Sequence, residues 1–571
     1  MAGTFAESRV VETVLNNPTL AILGAVILGL VLWVRRTGTS KASLPPQPPA
    51  TPVLGHLPEL IRENKTRTWH LRLNEWARTY GPIFGVRSGY IVDYYINSDV
   101  MVKEIFDKKS AQTADRPTWI MSSTILNNDF NVLFLKASDP TWKNQRKVIN
   151  QLVTNVQKAD EIIPLLEYET LKFLHENVTN AKGGLAGARL YQAIGRYTYS
   201  AFATAFMGMD ARLFPLTKAW RRDNIPDTDD AVIPFIMEAE TQIINTFPGM
   251  NVIDLMPSLG KLPMFLKPWE RTGRARYRRD LAWAMKRLEA AQDRLAKGDP
   301  SLEKTFWGSV LKSDDLRGMS CKEEVAILGL SLIVGAADTN ALPESDDDVD
   351  IPGSDDDVSR DRVVGERIPV YDDLKNIPYI RMMMKELWRW RPPVALGHPH
   401  ITARDLQIGE YCLPKGARLH INAYAISHDP ARHEDPERFW PERFKDDETT
   451  TMESMNAQDP TKRDHFAFGA GRRGCPGYHV AERSFVITMM RILWAFDIAP
   501  APGTKSTLEF ADYAGELPGN PAENMPVKLT YRSESRKKIV MDVFERETAA
   551  RPAMMPLNMG EKRIPKPEEY L

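Results

Sequence analysis

The chain has 571 residues, of which 43% are hydrophobic, and 74 basic side chains nearly balance 75 acidic ones. So small a net charge gives no support for nucleic-acid binding. Three cysteines, odd in number and widely spaced, argue against a disulfide framework and favour a reducing compartment. No long Gly/Ser linker or repeat divides the stretch from about residue 60 to 545, so one large domain is expected.

An uncharged run near the N-terminus predicts a membrane anchor. Residues 18–34 carry no charge, and from Leu20 onward each is apolar or glycine. As a helix these 17 residues span roughly 26 Å, enough for the thin bilayer of the endoplasmic reticulum. Arg35 and Arg36 follow, and positive charge on that flank places the bulk of the chain in the cytosol. A cleaved signal peptide is the alternative, but no small-residue cleavage site follows the run.

The next segment, LPPQPPATP at residues 44–52, contains five prolines and predicts a stiff, extended spacer. The chain beyond it reads as one folded unit. The predicted organisation is a short lumenal tail at 1–17, a single-pass transmembrane anchor at 18–36, a proline-rich hinge at 37–58, a catalytic domain at 59–548 and a C-terminal tail at 549–571.

Two hydrogen-bond donors share a helix face in DPTWKNQRK. Trp142 and Arg146 are four residues apart, which brings them to the same side of a helix. An indole N–H is a donor only, and a guanidinium suits a carboxylate. The pair is therefore a candidate for holding an acidic group of a ligand.

The run EEVAILGLSLIVGAADTN is apolar on all sides from Val325 to Ala337, which predicts a buried helix. Asp338 and Thr339 follow it abruptly. A carboxyl and a hydroxyl at this position can relay protons in catalysis. The alternative is that they only cap the end of a buried helix.

The chain then becomes strongly acidic. Between Asn340 and Arg362 it carries nine acidic residues, SDDDV occurs twice, and Pro343 interrupts the helical pattern. With almost no apolar stripe, the segment 340–362 cannot bury a core face. One interpretation is a genuine acidic surface loop, and the other, which we favour, is translated intron in place of coding sequence. We predict a disordered segment across 341–361.

Farther on, YIRMMMKELWRWR at residues 379–391 has apolar residues at helical spacing and places Glu386 and Arg389 on one face. Such a pair is usually solvated and contributes little. The later FWPERF supplies Arg443, which can complete a cluster of one glutamate and two arginines. A buried cluster of this kind must be completely paired, because unpaired buried charge is costly.

The run FGAGRRGCPG, from Phe468 to Gly477, ends where an apolar helical pattern begins. It therefore delivers Cys475 to a helix N-terminus, whose partial positive charge, with Arg473, is expected to lower the pKa of the thiol. The glycines let the backbone approach a flat ligand without Cβ obstruction. An isolated cysteine is more often a small buried hydrophobe, but this context favours a thiolate ligand to iron.

Together these motifs resemble the cytochrome P-450 family over roughly residues 42–540. The resemblance implies a mainly α fold with small β-sheets behind the N-terminal transmembrane helix. It also implies a haem b whose iron is bound by the Cys475 thiolate, in a loop where Phe468 and Gly477 match fixed positions of the family. Glu386 and Arg389 resemble the family's E-x-x-R motif, and the cluster with Arg443 would lock the cysteine loop.

The resemblance assigns further roles around the haem. Asp338 and Thr339 would deliver protons on the distal face. The donors to the two propionates would be Trp142, Arg146, Arg473, His400 in GHPHIT and Arg116 in ADRP.

By likeness to filamentous-fungal, membrane-bound members, the expected function is a monooxygenase that inserts one oxygen atom of O2 into a small apolar substrate of secondary or aromatic metabolism. No flavin or nicotinamide fingerprint is present, so electrons are expected from NADPH through a separate flavoprotein reductase on the same membrane. A microsomal b-type cytochrome is a further expected partner. Lys143, Lys147 and Arg472 are candidates for the docking face. The alternatives are a haem-thiolate isomerase or dehydratase that needs no reductase, and a catalytically impaired haem binder.

Overall fold

The computed structural model describes residues 43–66, 68–180, 185–210, 251–337, 364–501, 527–551, 554–557, 559 and 564–571. The predicted membrane anchor, Asp338, Thr339 and the acidic segment 340–362 lie outside these residues. Within the described ranges, no helix combines the length and the apolar composition that a membrane crossing requires.

Helices form most of the described chain, as the resemblance implies. They are α1 Leu57–Thr66, α2 Trp69–Tyr80, α3 Asp99–Val102, α4 Ser110–Thr113, α5 Pro140–Leu152, α6 Val156–Glu161, α7 Ile163–Asn180, α8 Gly187–Met207, α9 Val252–Leu255, α10 Pro268–Ala296, α11 Phe306–Leu311, α12 Lys322–Ala337, α13 Pro378–Trp390, α14 Ala423–Ser427, α15 Thr451–Met455, α16 Tyr478–Ala495 and α17 Glu534–Ala550. Two π-helical turns, Lys103–Lys108 and Ile120–Ile125, lie between α3 and α5.

The sheets are small. Their strands are β1 Ile83–Ser88, β2 Ile91–Ile96, β3 Leu185–Ala186, β4 Met209–Asp210, β5 His400–Ile401, β6 Leu406–Ile408, β7 Tyr411–Leu413, β8 Arg418–Ile421, β9 Phe496–Pro500, β10 Val527–Tyr531 and β11 Met555–Pro556. The largest sheet has the order β1-β2-β8-β5, in which β2 and β8 are parallel and the other neighbours antiparallel. A second sheet has the order β3-β10-β9, and β6-β7 and β4-β11 are two-stranded.

The helices predicted from the sequence form the core around the cysteine loop. The run expected to be a buried helix is α12, and Val325, Ile327 and Leu328 are at most 2% exposed. The predicted helix over 379–391 is α13, which begins with proline at its first position, where no N–H is needed. The helix expected after Gly477 is α16.

The described part of the predicted proline-rich hinge contacts the folded domain. Pro45 and Pro48 are buried. The Pro46 carbonyl accepts a hydrogen bond from the Gly85 N–H at 2.8 Å, and His56 Nε2 lies 3.2 Å from the Pro48 carbonyl oxygen. The chain from residue 43 onward is therefore docked on the β1-β2-β8-β5 sheet side of the domain.

The predicted C-terminal tail is likewise part of the fold. β11 pairs in parallel with β4, and the Leu557 N–H donates to the Asp210 carbonyl at 2.8 Å. Buried Arg287 of α10 donates to the Leu557 carbonyl at 2.8 Å. The tail therefore contacts both α10 and strand β4, which follows α8 directly.

Candidate active site

The loop that carries Cys475 is closed by its own backbone. The Cys475 N–H donates to the Phe468 carbonyl at 2.8 Å, across a short 3-10 turn at Gly471–Arg473. Gly471 has a φ of +63°, and a Cβ on it would lie 1.9 Å from the Phe106 carbonyl oxygen, so only glycine fits. The loop therefore packs its backbone directly on the π-helical turn that contains Phe106.

The sulfur lies at the N-terminal end of α16, as predicted. The Gly477 N–H donates to Cys475 Sγ at 3.4 Å, and the Cys475 residue keeps some accessible surface. The expected direction of the thiol pKa was wrong. Burial raises the pKa of Cys475, and the Gly477 N–H and the charge of Arg146, rather than Arg473, offset this only in part. Desolvation of a thiolate outweighs one helix end, and a bound cation would reverse the balance.

Three arginines from distant parts of the chain converge beside this loop. Arg146, on α5, donates to the Gly474 carbonyl. Arg473 donates to three carbonyls, those of Ala114 at 2.8 Å, Val132 at 3.2 Å and Leu135. Arg116 also donates to three carbonyls, those of Leu133 at 3.2 Å, His398 at 3.0 Å and Pro399 at 2.8 Å.

None of the three guanidinium groups forms an ion pair with a carboxylate within the described ranges, although the charge of Asp115 opposes the effect of burial on the pKa of Arg473. Burial, reinforced by Arg146, lowers the pKa of Arg116 to about 9. Burial, reinforced by Arg116 and Arg146, lowers the pKa of Arg473 to about 8. The site is therefore a buried concentration of positive charge that an anionic ligand would stabilise.

Trp142 and His400 flank the arginines in different ways. Trp142 is buried, and the Arg473 guanidinium lies over its ring at 4.3 Å. His400 Nδ1 lies 2.8 Å from the Thr113 carbonyl oxygen, so this nitrogen carries the proton. Burial, and then the charge of Arg116, hold the pKa of His400 well below its ordinary value, so the ring is neutral. In this neutral form Nε2 carries no proton, and a donor role of His400 toward a propionate stays a prediction.

Glu386, Arg389 and Arg443 lie together in the interior. Arg389 binds Glu386 through two hydrogen bonds, of 2.7 and 2.8 Å, and Arg443 Nε donates to the same carboxylate at 3.0 Å. The Trp440 N–H adds a fourth bond to it at 2.7 Å. Glu386 and Arg389 have no exposed surface, and the remaining arginine donors bind backbone carbonyls. The cluster is thus fully paired, as a buried charged group must be.

Two residues that support the cysteine loop were not predicted from the sequence. Buried Arg463 donates to the Gly469 carbonyl and, at 3.0 Å, to the His465 carbonyl. Trp388 packs edge-on against His465, with 5.3 Å between the ring centroids. The one available signal was a polar RDH triplet directly before FAFG, which does not by itself indicate burial.

Near the C-terminal end of α12, Gly335 is exposed although this helix is otherwise largely buried. Among the described residues, a Cβ on Gly335 would meet no heavy atom within 4 Å. Asp338 and Thr339 follow immediately in the sequence and lie outside the described residues. The predicted docking residues Lys143, Lys147 and Arg472 are all exposed.

A haem fits these residues. Its two propionates would supply the anions that these arginines lack, and Arg116 Nη2 and Arg146 Nε and Nη1 have no acceptor in the part of the chain that the structure describes. Its iron would supply the cation that a buried Cys475 thiolate requires. The donor set therefore suits a dianionic macrocycle whose metal is bound by a thiolate.

Comparison with known proteins leads to the same family as the sequence motifs. The family model described as cytochrome P-450 matches residues 45–219 and 360–515. A cytochrome P-450 monooxygenase of Gibberella fujikuroi is 42% identical over 94% of this chain and 98% of its own length. The cytochrome P-450 monooxygenase virE of Hypocrea virens is 32% identical over 84% of this chain and 83% of its own. The structure of a retinoic-acid-bound cyanobacterial member aligns with a TM-score of 0.61 at 21% identity, covering 86% of this chain and 100% of that one.

The family model spans more than half of the chain, including the arginine cluster, Glu386 and the Cys475 loop, while Asp338 and Thr339 fall between its two matched stretches. The G. fujikuroi relative covers nearly the whole sequence. The chain belongs to the cytochrome P-450 family of oxygen-incorporating oxidoreductases.

Proposed function

We propose that this chain is a haem-dependent monooxygenase that inserts one oxygen atom of O2 into a small apolar substrate of fungal secondary metabolism. The observation that supports it best is the position of Cys475, a partly exposed residue in a loop beside three arginines that form no ion pair with a carboxylate in the described part of the chain. A haem bound there would supply the iron that activates O2. The names of the fungal relatives support the same reaction class.

The residues of the chain would act mainly by holding and orienting. Cys475 Sγ would ligate the iron, and the Gly477 N–H, 3.4 Å from it, would stabilise negative charge on the sulfur. Arg116 and Arg146 would donate their unengaged N–H groups to the propionates, while Arg473 holds the surrounding carbonyls through its hydrogen bonds.

The distal chemistry is assigned to Asp338 and Thr339, which would deliver protons from water to the oxygen-binding side. Gly335, three residues before Asp338, has space beside it in the described part of the chain, which would leave room for a small ligand. Residues 18–36 would anchor the chain in the endoplasmic reticulum membrane with its catalytic domain in the cytosol. In the cytosol, an NADPH-dependent flavoprotein reductase on the same membrane would dock against the catalytic domain. The exposed side chains of Lys143, Lys147 and Arg472 would contact an acidic face of this reductase.

The test is turnover of a panel of apolar compounds by microsomes that contain the full chain, in isotopically labelled dioxygen, with products read by mass. Labelled products that require both NADPH and the reductase are expected. A rearranged, unlabelled product formed without NADPH would contradict the proposal and indicate an isomerase or dehydratase.

The role of Thr339 is tested in the same assay. Thr339→Ala should keep haem content and substrate binding but divert NADPH electrons to hydrogen peroxide, since the hydroxyl is needed only for proton delivery. Thr179→Ala, at an exposed position on α7, is the matched control. Unchanged coupling of NADPH use to product in Thr339→Ala would remove Thr339 from the mechanism.

A further inference from the structure

Gln145 lies on α5 between the two residues of that helix that belong to the candidate haem site. Trp142 precedes it by three residues, and Arg146 follows it directly. The Gln145 side chain is 0% exposed. A buried amide has to find hydrogen-bond partners, so the partners of Gln145 show which segments of the chain it joins.

The Gln145 amide joins two other segments to α5. Its Nε2 donates to the Phe130 carbonyl at 2.9 Å and to Glu324 Oε1 at 3.0 Å. A carbonyl and a carboxylate are acceptors only, so the NH2 group of the amide has to face them and the orientation of the amide is fixed. The amide oxygen is buried without a hydrogen-bond partner in the described part of the chain. The contribution of this amide therefore comes from its two N–H groups.

Glu324 depends on this amide. It is 2% exposed in the first turn of α12, where the positive end of the helix favours a carboxylate. Its Oε2 accepts the N–H and the hydroxyl of Ser320, both at 2.7 Å. Among the described residues, Gln145 is the one donor to Oε1, and no basic side chain forms an ion pair with Glu324. Loss of the amide would leave one oxygen of a buried carboxylate without a donor, which is costly.

The other partner of Gln145 belongs to the stretch of chain that holds two arginines of the haem site. Phe130 begins the stretch 130–135, in which Arg473 binds two carbonyls and Arg116 binds a third. The Gln145 amide is therefore bonded on one side to the segment that holds these arginines and on the other side to α12. It links the two through α5, which itself carries Arg146.

We propose that Gln145 is a positioning residue that fixes α12 and the stretch 130–135 against α5, and so sets how the arginines of the haem site are placed relative to the helix that precedes Asp338 and Thr339. The proposal rests on the proposed function, in that a haem binds beside these arginines. Because α12 is one continuous helix of 16 residues, fixing its first turn also fixes the direction of its other end. Gln145 itself takes part in no proton transfer.

The test removes both hydrogen bonds and keeps the volume of the side chain. Gln145→Met is unbranched and of similar size but cannot donate. In the haem-loaded full chain, hydrogen exchange of peptides covering 127–135 and 320–328 should become about tenfold faster, the effect expected when a hydrogen bond to a buried carboxylate is lost. The midpoint potential of the haem iron should shift to a lower value, because less firmly held arginines stabilise the more negative, reduced state less well.

The matched control is Gln292→Met. Gln292 is exposed on α10, and its Oε1 accepts a hydrogen bond from Lys322 Nζ at 2.8 Å, so it contacts the first residue of α12 from the solvent side. This variant should match the parent in both measurements. An unchanged exchange rate or an unchanged potential in Gln145→Met, or the same changes in Gln292→Met, would overturn the proposal. Absence of a thiolate-haem spectrum in the parent would instead contradict the proposed function.

A second variant decides the matter if Gln145→Met retains no haem. In the described part of the chain, no hydrogen bond joins Glu324 directly to residues 127–135, whereas Gln145 bonds to both. Glu324→Met removes the carboxylate that holds the amide from the α12 side, and it should therefore accelerate hydrogen exchange in the peptides covering 127–135. Exchange of these peptides at the parent's rate would show that nothing is transmitted through Gln145 and would overturn the proposal.

Discussion

Trp388 packs edge-on against Phe468, with 4.8 Å between their ring centroids. Trp388 precedes Arg389 directly in α13, so this contact joins the buried charge cluster to the cysteine loop. The Phe468 carbonyl in turn accepts the Cys475 N–H at 2.8 Å. Two contacts therefore connect the cluster to the residue that carries the sulfur, and a change in one should reach the other.

The charge cluster should be essential for stability. Glu386→Gln removes the counter-charge of both Arg389 and Arg443, and breaking a buried pair costs about 3–5 kcal/mol. Urea unfolding and haem retention measure the loss. Glu453→Gln, at an exposed carboxylate that caps α15, is the control and should leave both unchanged. Equal stability of Glu386→Gln and the parent would show that the cluster is not needed to hold the loop.

Ligation should depend on one sulfur. In Cys475→Ala the reduced carbon-monoxide complex should lose the long-wavelength absorption of thiolate-bound haem, because no neighbouring side chain can supply an anionic sulfur. Cys412→Ala, at a free cysteine in β7, should keep the band. Persistence of the band in Cys475→Ala would refute the assignment of the proximal ligand.

The parts of the site that the sequence predicted are those encoded by short spacings. Glu386 and Arg389 are one helical turn apart, and the Cys475 loop is a single run ending at a helix. No short spacing in the sequence indicated the role of Arg463 or the carbonyl groups to which Arg116 donates. Arg116 binds carbonyls 282 and 283 residues away, so its role depends on packing that no local pattern encodes.

The same reason explains why the protonation of His400 and of Cys475 could not be predicted from the sequence. The proton position on His400 is set by the Thr113 carbonyl, 287 residues away. The pKa of the Cys475 thiol is set by the total burial of the loop, which outweighs the local helix end. Spacing identifies which residues meet, whereas protonation depends on everything packed around them.

His465 should make the protein sensitive to acid. Its ring is buried near Trp388, and Nδ1 accepts the Ala467 N–H at 3.3 Å. Burial lowers the pKa of His465 from 6.5 to about 4, with Asp464 opposing and Arg463 reinforcing the shift. The unfolded chain therefore takes up a proton that the folded chain rejects. The stabilisation is fully present above pH 6.5 and is lost as the pH falls toward 4.

His465→Gln tests this linkage, because glutamine can accept the same N–H but does not titrate. Between pH 6.5 and 4 the free energy of unfolding of the parent should fall more steeply than that of the variant, by up to about 1.4 kcal/mol per pH unit. Urea unfolding at several pH values in this range measures both slopes. Parallel slopes would exclude His465 as a source of acid sensitivity.

The N-terminal anchor should carry most of the membrane affinity. Deleting residues 1–36 should release much of the protein on carbonate washing while haem binding persists, because the anchor supplies no ligand. Deleting 2–17, the predicted lumenal tail, is the control and should not change extraction. Resistance of the 1–36 deletion to washing would assign the affinity to a second surface, for which exposed Met264, Phe265 and Leu266 are the candidate.

We expect that the native transcript does not encode the acidic segment 340–362. Its sequence lacks an apolar stripe, yet it follows the buried helix α12 and precedes Val364, which is again buried. A chain in which intron-derived sequence replaces core helices loses several kcal/mol of packing, so this chain should retain haem poorly.

Sequencing the spliced transcript tests the cause, and the haem-to-protein ratio of the purified chain tests the consequence. We expect a message without the SDDDV repeat, and higher haem retention by the protein that it encodes. A message that encodes the repeat, together with a stable haem-loaded product, would contradict the intron interpretation. The acidic segment would then be a real loop that extends the chain directly after Asp338 and Thr339, and their proposed proton delivery would have to operate beside a dense negative charge that hinders the release of protons.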